Sequence, residues 1–461
     1  MISDVDESAQ AQPRHLVEFV LVLLIATLVF KGFVVDGYFV PTGSMAPGLV
    51  GLHNDLSCPE CHYTFAVGRD SDAWTPHTVT CPQCRRTEIP LGEPVDQPGD
   101  RLLVLKGCYQ WLTPKRWESV VFLNPNDIGE AYVKRIVGLP GETITIRGGD
   151  IYIQGRIQRK TFEQFRALAI PVYDSRVAAR SKWNKDRWVI DGDAESWNQD
   201  DATWSINSLH SRSDVGIAFQ DLSPAGEPTP LVDEIPYNAT RLGSRPPLIT
   251  DFAVRAKLGY EQGDGSYAVS LHLSAHDTIH WRHYPARGTW EIRLNDRLLQ
   301  TGRHILSTHS WIEFDLAYWD AQIEARIDGQ PVFSIGVDSI PLGTAPTIHP
   351  VRFSANNFVG KIDSLEIHRD IYYRTEPPGA WPGRKDEGFH LGPDEYFMLG
   401  DNSAVSNDSR SWDVPGIPRR LLVGKPILVH LPMQAGRGKI AGRSWRWQLP
   451  DWRRIRRVDA W

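Results

Sequence analysis

The chain has 461 residues, enough for two or three domains with a sizeable core, and sets 50 Lys+Arg against 56 Asp+Glu for a net charge of −6. That mildly acidic balance argues against nucleic acid as a partner, which calls for a basic face. Seventeen tryptophans and 33 prolines beside four methionines favour loop-rich β structure over helical bundles.

In chain order, residues 1–15 are polar and acidic and are expected to lack structure. Residues 16–35 are almost wholly apolar, interrupted by Glu18, Lys31 and Gly32. Twenty helical residues rise about 30 Å, the thickness of a bilayer's hydrocarbon core. The segment reads either as an uncleaved anchor or as a cleaved leader, because its uncharged run 19–30 is short. No small-x-small cleavage pattern follows it, which favours the anchor. Arg14 and Lys31 flank the span symmetrically and leave its orientation unsignalled.

Residues 36–57 carry PTGSM, with Ser44 between a glycine and a methionine. A serine hydroxyl is a poor nucleophile at neutral pH unless the fold brings it a base. Phe33, Val34, Tyr38, Phe39 and Val40 predict an extended segment with one face in the core and one open to a groove or to lipid.

Residues 58–84 hold CPEC and CPQC, so that Cys58, Cys61, Cys81 and Cys84 form two C-x2-C pairs with near zinc-ribbon spacing. Structural zinc and a pair of disulfides both satisfy the pattern. Cys108 stands apart and is expected as a small buried hydrophobe.

Residues 85–157 predict an antiparallel β core from short β-branched runs at 101–105, 119–123, 131–137, 143–146 and 150–153, separated by turn residues. Lys134 lies in YVKRIVGLPGE, among Tyr132, Val133, Ile136, Val137 and Leu139. Burial in such surroundings disfavours the ammonium form, which is what a lysine needs to accept a proton.

Residues 158–375 interrupt this pattern with alternating stretches such as YAVSLHLS and TWEIRLN, which read as a β-sandwich. Residues 376–436 open with a Pro- and Gly-rich linker and continue through GDNSAVSNDSR at 400–410 to a last strand at 423–430. Residues 437–461 interleave basic residues with Trp445, Trp447, Trp452 and Trp461. That composition suits either an anionic membrane surface or a solvated tail.

Four blocks, PTGSM at 41–45, GDRLLVLK at 99–106, YVKRIVGLPGE at 132–142 and GDNSAVSNDSR at 400–410, occur in the order found in type I signal peptidases, which this chain resembles over about two fifths of its length. The insert more loosely resembles concanavalin-like and laminin-G-like jelly rolls. The resemblance implies a mainly β fold, with a signal-peptidase-like antiparallel catalytic core, an N-terminal transmembrane helix and an inserted β-sandwich. It further implies a serine endopeptidase in which Ser44 is the nucleophile and Lys134 the general base, a recurring variant of the serine triad. Thr42, where the family more often has serine, would supply an oxyanion donor beside the Ser44 N–H. Ser406 would orient the lysine, while Asp401, Asp408 and Arg410 hold the block together, with Arg135 as a candidate partner of Asp408.

Such an enzyme needs no cofactor for catalysis, and zinc would be structural. Its implied setting is a single pass through the cytoplasmic membrane with the catalytic domain outside. The implied partners are signal-peptide-bearing preproteins, membrane lipid and the export translocon, with a glycan or protein as candidate ligand of the sandwich. Two other readings compete. One is a self-cleaving repressor-type protease, disfavoured because the chain has no basic recognition helix. The other is an anchored binding protein that acts through the sandwich and carries an inert protease core.

Overall fold

The computed structural model describes residues 8–68, 78–91, 97–125, 127–211, 213–239, 246–337, 343, 345–375, 388–430, 433–440 and 443–459. Most of the linker expected at 376–392 lies outside these residues.

The sheet that carries Lys134 is antiparallel and built from distant parts of the chain. Its strand order is Val35–Phe39, Arg101–Lys106, Leu422–Val429, Ser119–Asn124, Asp127–Gly138, Glu395–Leu399 and Gly416–Pro418. Strand Leu422–Val429 sits between two strands more than 290 positions earlier, so the sheet cannot close until the segments on both sides of the insert have come together. Period-2 burial explains the strands themselves. In Arg101–Lys106, Leu102 and Val104 point into the core while Arg101 is exposed. A smaller sheet, Arg156–Ile157, Asp150–Ile153, Thr143–Arg147 and Phe389–His390, flanks the core. The expected strands in 85–157 and at 423–430 all form, within two residues of the expected bounds except that Asp127–Gly138 starts four residues early.

The insert is a sandwich of an eight-stranded and a seven-stranded antiparallel sheet around one aromatic-rich core. Strand Thr278–Tyr284 shows why: Ile279, Trp281 and His283 are buried, with the intervening residues half-buried. Trp281 stacks on Phe314 of the opposite sheet at 4.0 Å between ring centres. The Asp328-Gly329 turn has φ of 49° and 75°, the left-handed pair that a two-residue hairpin requires. Alternation is clearest in the second half of the insert, yet the sheets also recruit Ile170–Asp174, Trp188–Asp191, Trp197–Asp200, Thr203–Asn207 and Val215–Phe219.

At the N-terminus, helix Ser8–Val29 starts within the stretch expected to lack structure, and runs through π-helical Phe30–Val34 into strand Val35–Phe39. Its side chains from Leu16 to Ile25 are apolar apart from Glu18, and the apolar ones are more than half exposed. Among the described residues no helix is long and apolar enough to cross a membrane.

The C-terminal region departs from expectation. Strands Met433–Ile440 and Arg443–Pro450 form a hairpin, and Arg456–Arg457 then pairs with the last two residues of strand Leu422–Val429. Arg454 and Arg456 both bond the buried Asp100 carboxylate, at 2.6 and 3.2 Å. These arginines are engaged by the core because Asp100 is a buried anion that needs cations, and the strand pairing delivers them.

Candidate active site

Ser44 lies in the turn after strand Val35–Phe39, and is itself buried. Met45 and Ala46 are fully buried; Met45 packs with Val40, Leu49, Leu102, Val104, Val121 and Val429 next to Ser44 in the chain. The turn is closed by bonds from Ala46 N to the Gly43 carbonyl (3.0 Å) and from Leu49 N to the Met45 carbonyl (2.8 Å). Thr42 donates its hydroxyl to Ser44 Oγ at 3.4 Å, so the two hydroxyls face one space. Among the described residues nothing accepts a hydrogen bond from the Ser44 N–H.

Lys134 projects from strand Asp127–Gly138 and is buried. Burial lowers its pKa to about 8; Asp408 and Asp401 oppose that fall and Arg410 adds to it. Its Nζ donates to Ser406 Oγ at 3.1 Å. Gly400 joins this pair to the Ser44 turn, because a Cβ there would sit 2.2 Å from Ser406 Oγ and 2.4 Å from the Ser44 carbonyl oxygen. Only a glycine lets the two approach. Asn402, the residue sequence reasoning overlooked within the same block, holds the turn from below. Its N–H donates to the Ser44 carbonyl (3.0 Å) and its side-chain amide to the Gly43 carbonyl (2.9 Å).

Two ion pairs carry the block. Arg410 bonds both carboxylate oxygens of Asp408 at 2.8 and 2.7 Å, and Asp408 also accepts from the Gly400 N–H at 3.0 Å. Burial alone would push the Asp408 carboxyl up, but the Arg410 guanidinium beside it holds it below the usual range. Arg135 does not pair with Asp408 as expected. It bonds Asp401 at 2.7 and 2.6 Å and Asp459 at 3.0 Å. Asp408 is taken up by Arg410, and alternation along the strand sends residue 135 to the face opposite Lys134. Asp459, for which the sequence offers no signal, also accepts from the Ser119 hydroxyl at 2.9 Å.

The four cysteines form a separate cluster. Each C-x2-C loop closes in the same way: His62 N and Arg85 N bond the carbonyls of Cys58 and Cys81 at 3.0 and 3.1 Å, and both residues have φ near 60°. All four thiols are free and buried, with Cys58 Sγ 3.7 Å from Cys84 Sγ and Cys61 Sγ 3.6 Å from Cys81 Sγ. Those separations are far beyond a disulfide bond, and they match the edge of a tetrahedron of thiolates about 2.3 Å from a zinc ion. Cys108 is buried with Tyr109, Val120 and Phe122, as a small hydrophobe.

Comparison with known proteins bears on this geometry. Residues 92–194 and 374–431 match the family described as Signal peptidase, peptidase S26. The lysine strand and the polar block both lie within the segments that match this family. Lys134, Arg135, Ser406, Asp401, Asp408 and Arg410 all lie within them, whereas Ser44 lies outside and is tied to them by Asn402 and Gly400. The probable signal peptidase I-2 of Synechocystis sp. is 31% identical over 120 residues, 25% of this chain and 51% of that one. The signal peptidase I of Pseudomonas fluorescens is 46% identical over 100 residues, 17% of this chain and 32% of that one. The chain spans about half the length or less of these two relatives. A Bacillus subtilis protein of unknown function with a galectin-like fold overlays 44% of this chain and 98% of its own at 11% identity, with a TM-score of 0.30. At that score the likeness is too loose to assign the sandwich a relationship.

Proposed function

We propose that this chain is a membrane-anchored serine endopeptidase of the signal peptidase I type, which removes signal peptides from exported preproteins with a Ser44–Lys134 dyad. The observation that carries the reading is a buried lysine, its pKa lowered to about 8, hydrogen-bonded to Ser406 and packed through Gly400 against the Ser44 turn. A neutral Lys134 takes the Ser44 proton as Oγ attacks the scissile carbonyl, and its ammonium form then protonates the leaving amine. The unpartnered Ser44 N–H and the Thr42 hydroxyl stabilise the oxyanion.

The apolar helix leading into strand Val35–Phe39 supports an anchor, because among the described residues its leucines and valines are exposed apolar surface. In that reading the chain passes once through the cytoplasmic membrane with the site on the outer side, near lipid and the export translocon. Zinc at the four cysteines is structural: four thiolates leave no open coordination position. The sandwich has a glycan or a protein as its candidate ligand.

The test is cleavage of a signal-peptide-bearing preprotein in liposomes by wild type, Ser44→Ala and Lys134→Ala. Cutting after the small-x-small site by wild type alone supports the dyad. Equal inactivity of all three folded proteins sinks it and turns attention to the sandwich.

A further inference from the structure

The inserted domain does not merely hang from the catalytic core. Its segment Pro236–Asn238, a single 3-10 turn, lies against the residue that precedes the nucleophile. The Tyr237 ring fills the space at Gly43 so fully that a Cβ there would sit 1.9 Å from Tyr237 Cε1, and the Tyr237 hydroxyl donates to the Leu52 carbonyl at 2.8 Å. The next residue, Asn238, makes a reciprocal amide pair with Asn402: each side-chain amide donates to the other's oxygen at 2.8 Å. The second N–H of that Asn402 amide holds the Gly43 carbonyl, and the Asn402 backbone N–H holds the carbonyl of Ser44.

The turn is itself held firmly. Asp233, three residues before Pro236, bridges Arg369 at 3.1 Å and Arg374 at 2.9 Å. The Arg374 backbone continues the connection, donating from N to Ser403 Oγ at 2.7 Å and accepting from Arg410 Nη1 at 2.7 Å. The insert therefore reaches the site by two routes, one ending on the nucleophile turn and one on the arginine that pairs with Asp408.

We propose that Tyr237 and Asn238 of the inserted domain are positioning residues for Ser44, with Asn238 acting through Asn402 and Tyr237 through Gly43. This rests on the endopeptidase reading above. An amide pair fixes both the height and the rotation of Asn402, and Asn402 in turn sets where the Ser44 carbonyl, and with it Oγ, stands relative to Lys134. Displacement of a nucleophile by about 1 Å is enough to cost roughly a hundredfold in rate. The catalytic turn thus depends on a domain that contributes no reacting atom.

The experiment compares full-length wild type, Asn238→Ala, Asn402→Ala and the double variant in liposomes, each assayed for preprotein cleavage and for backbone hydrogen exchange. Asn238→Ala is expected to lower kcat about tenfold with KM within twofold, and to add nothing in the Asn402→Ala background, since one path carries both effects. Exchange at the Asn402 amide is expected to rise in Asn238→Ala while strand Phe252–Gln262 of the sandwich keeps its protection. Tyr237→Phe keeps the ring against Gly43 and should retain most of the activity, whereas Tyr237→Ala should not. Unchanged exchange at Asn402, or kcat losses that multiply in the double variant, overturns the proposal. A wild type that does not cleave, with exchange that still responds to Asn238→Ala, leaves the clamp standing and removes the endopeptidase reading instead.

Discussion

Arg135 and Asp401 form a two-bond ion pair, at 2.7 and 2.6 Å, in which each member neighbours a residue the site depends on: Lys134 on one strand, Gly400 and Asn402 on the other segment. Both side chains are buried, so the pair fixes the distance between the lysine strand and the polar block. Asp401→Asn removes the negative charge that two of the guanidinium's hydrogen bonds reach. The expected loss is about 3 kcal/mol of stability, measured by urea unfolding, because removing one partner of a buried pair strands the other charge. A change below 1 kcal/mol would mean that Arg135 does not depend on the Asp401 charge.

The lowered pKa of Lys134, about 8, sets the pH dependence. In the proposed reaction the general base works when neutral, so kcat/KM of the wild type is expected to rise with pH through about 8, and a profile flat across that range would contradict the role. Stability carries the opposite signature of the same group. Below about 8 the lysine is charged in both folded and unfolded states and its burial costs the fold in full. Between about 8 and 10.5 the folded form is neutral while the unfolded form is still charged, and the cost fades. Lys134→Met should therefore stabilise the protein at pH 7, by as much as roughly 3 kcal/mol, and the gain should vanish near pH 10.5. A gain that is constant with pH would contradict the assignment.

Gly400→Ala places a methyl group 2.2 Å from Ser406 Oγ and 2.4 Å from the Ser44 carbonyl. One of the two must move. We expect a fall in kcat of about a hundredfold or more, with destabilisation of about 1–3 kcal/mol from overpacking. Thermal unfolding beside the cleavage assay separates the two effects, and full activity in the variant would show that the contact is not needed.

Elemental analysis of the purified chain should find one zinc per molecule, lost in Cys81→Ser. Chelation should lower the melting temperature rather than abolish cleavage at once, because the cluster is remote in chemistry from the dyad. The cysteine cluster also bears on the insert: Gln83, between Cys81 and Cys84, accepts from Asp174 N at 2.8 Å through its side chain and from Arg187 at 2.6 Å through its carbonyl. Metal-free protein is thus expected to exchange faster around residues 174–187. A metal-free preparation with unchanged melting would speak against a structural zinc.

What the sequence revealed was local, and what it hid was long-range. The β-branched runs at 101–105 and 131–137 could be read because period-2 burial is written into neighbouring residues. The block 400–410 stood out as a motif, so Ser406, Asp408 and Arg410 were named, and Asp408 and Arg410 do pair. The partner of Arg135 was misassigned because a guanidinium chooses among carboxylates by geometry, and Asp401 and Asp459 are separated from it by more than 260 residues. Asn402 sat in plain view within the block, but an asparagine in a turn carries no mark of what its amide will hold. Tyr237 and Asn238 left no trace at all, since their partners are a glycine and another asparagine. In the tail, composition gives no sign that Arg454 and Arg456 bond the buried carboxylate of Asp100, since that partner lies more than 350 residues earlier.

The placement of Asp459 bears on how the protein is made. Chains fold as they emerge, from the N-terminal side first, and by the time Ser44 and Lys134 have been synthesised the Arg135 guanidinium beside them has neither of its carboxylates. Asp401 arrives more than 260 residues later and Asp459 more than 320 later. Until then the lysine strand lacks its anchoring charges and the nucleophile turn lacks Asn402. The Ser44 turn and the Lys134 strand can therefore take up their final places only after Asp401, Asn402 and Asp459 have all been made.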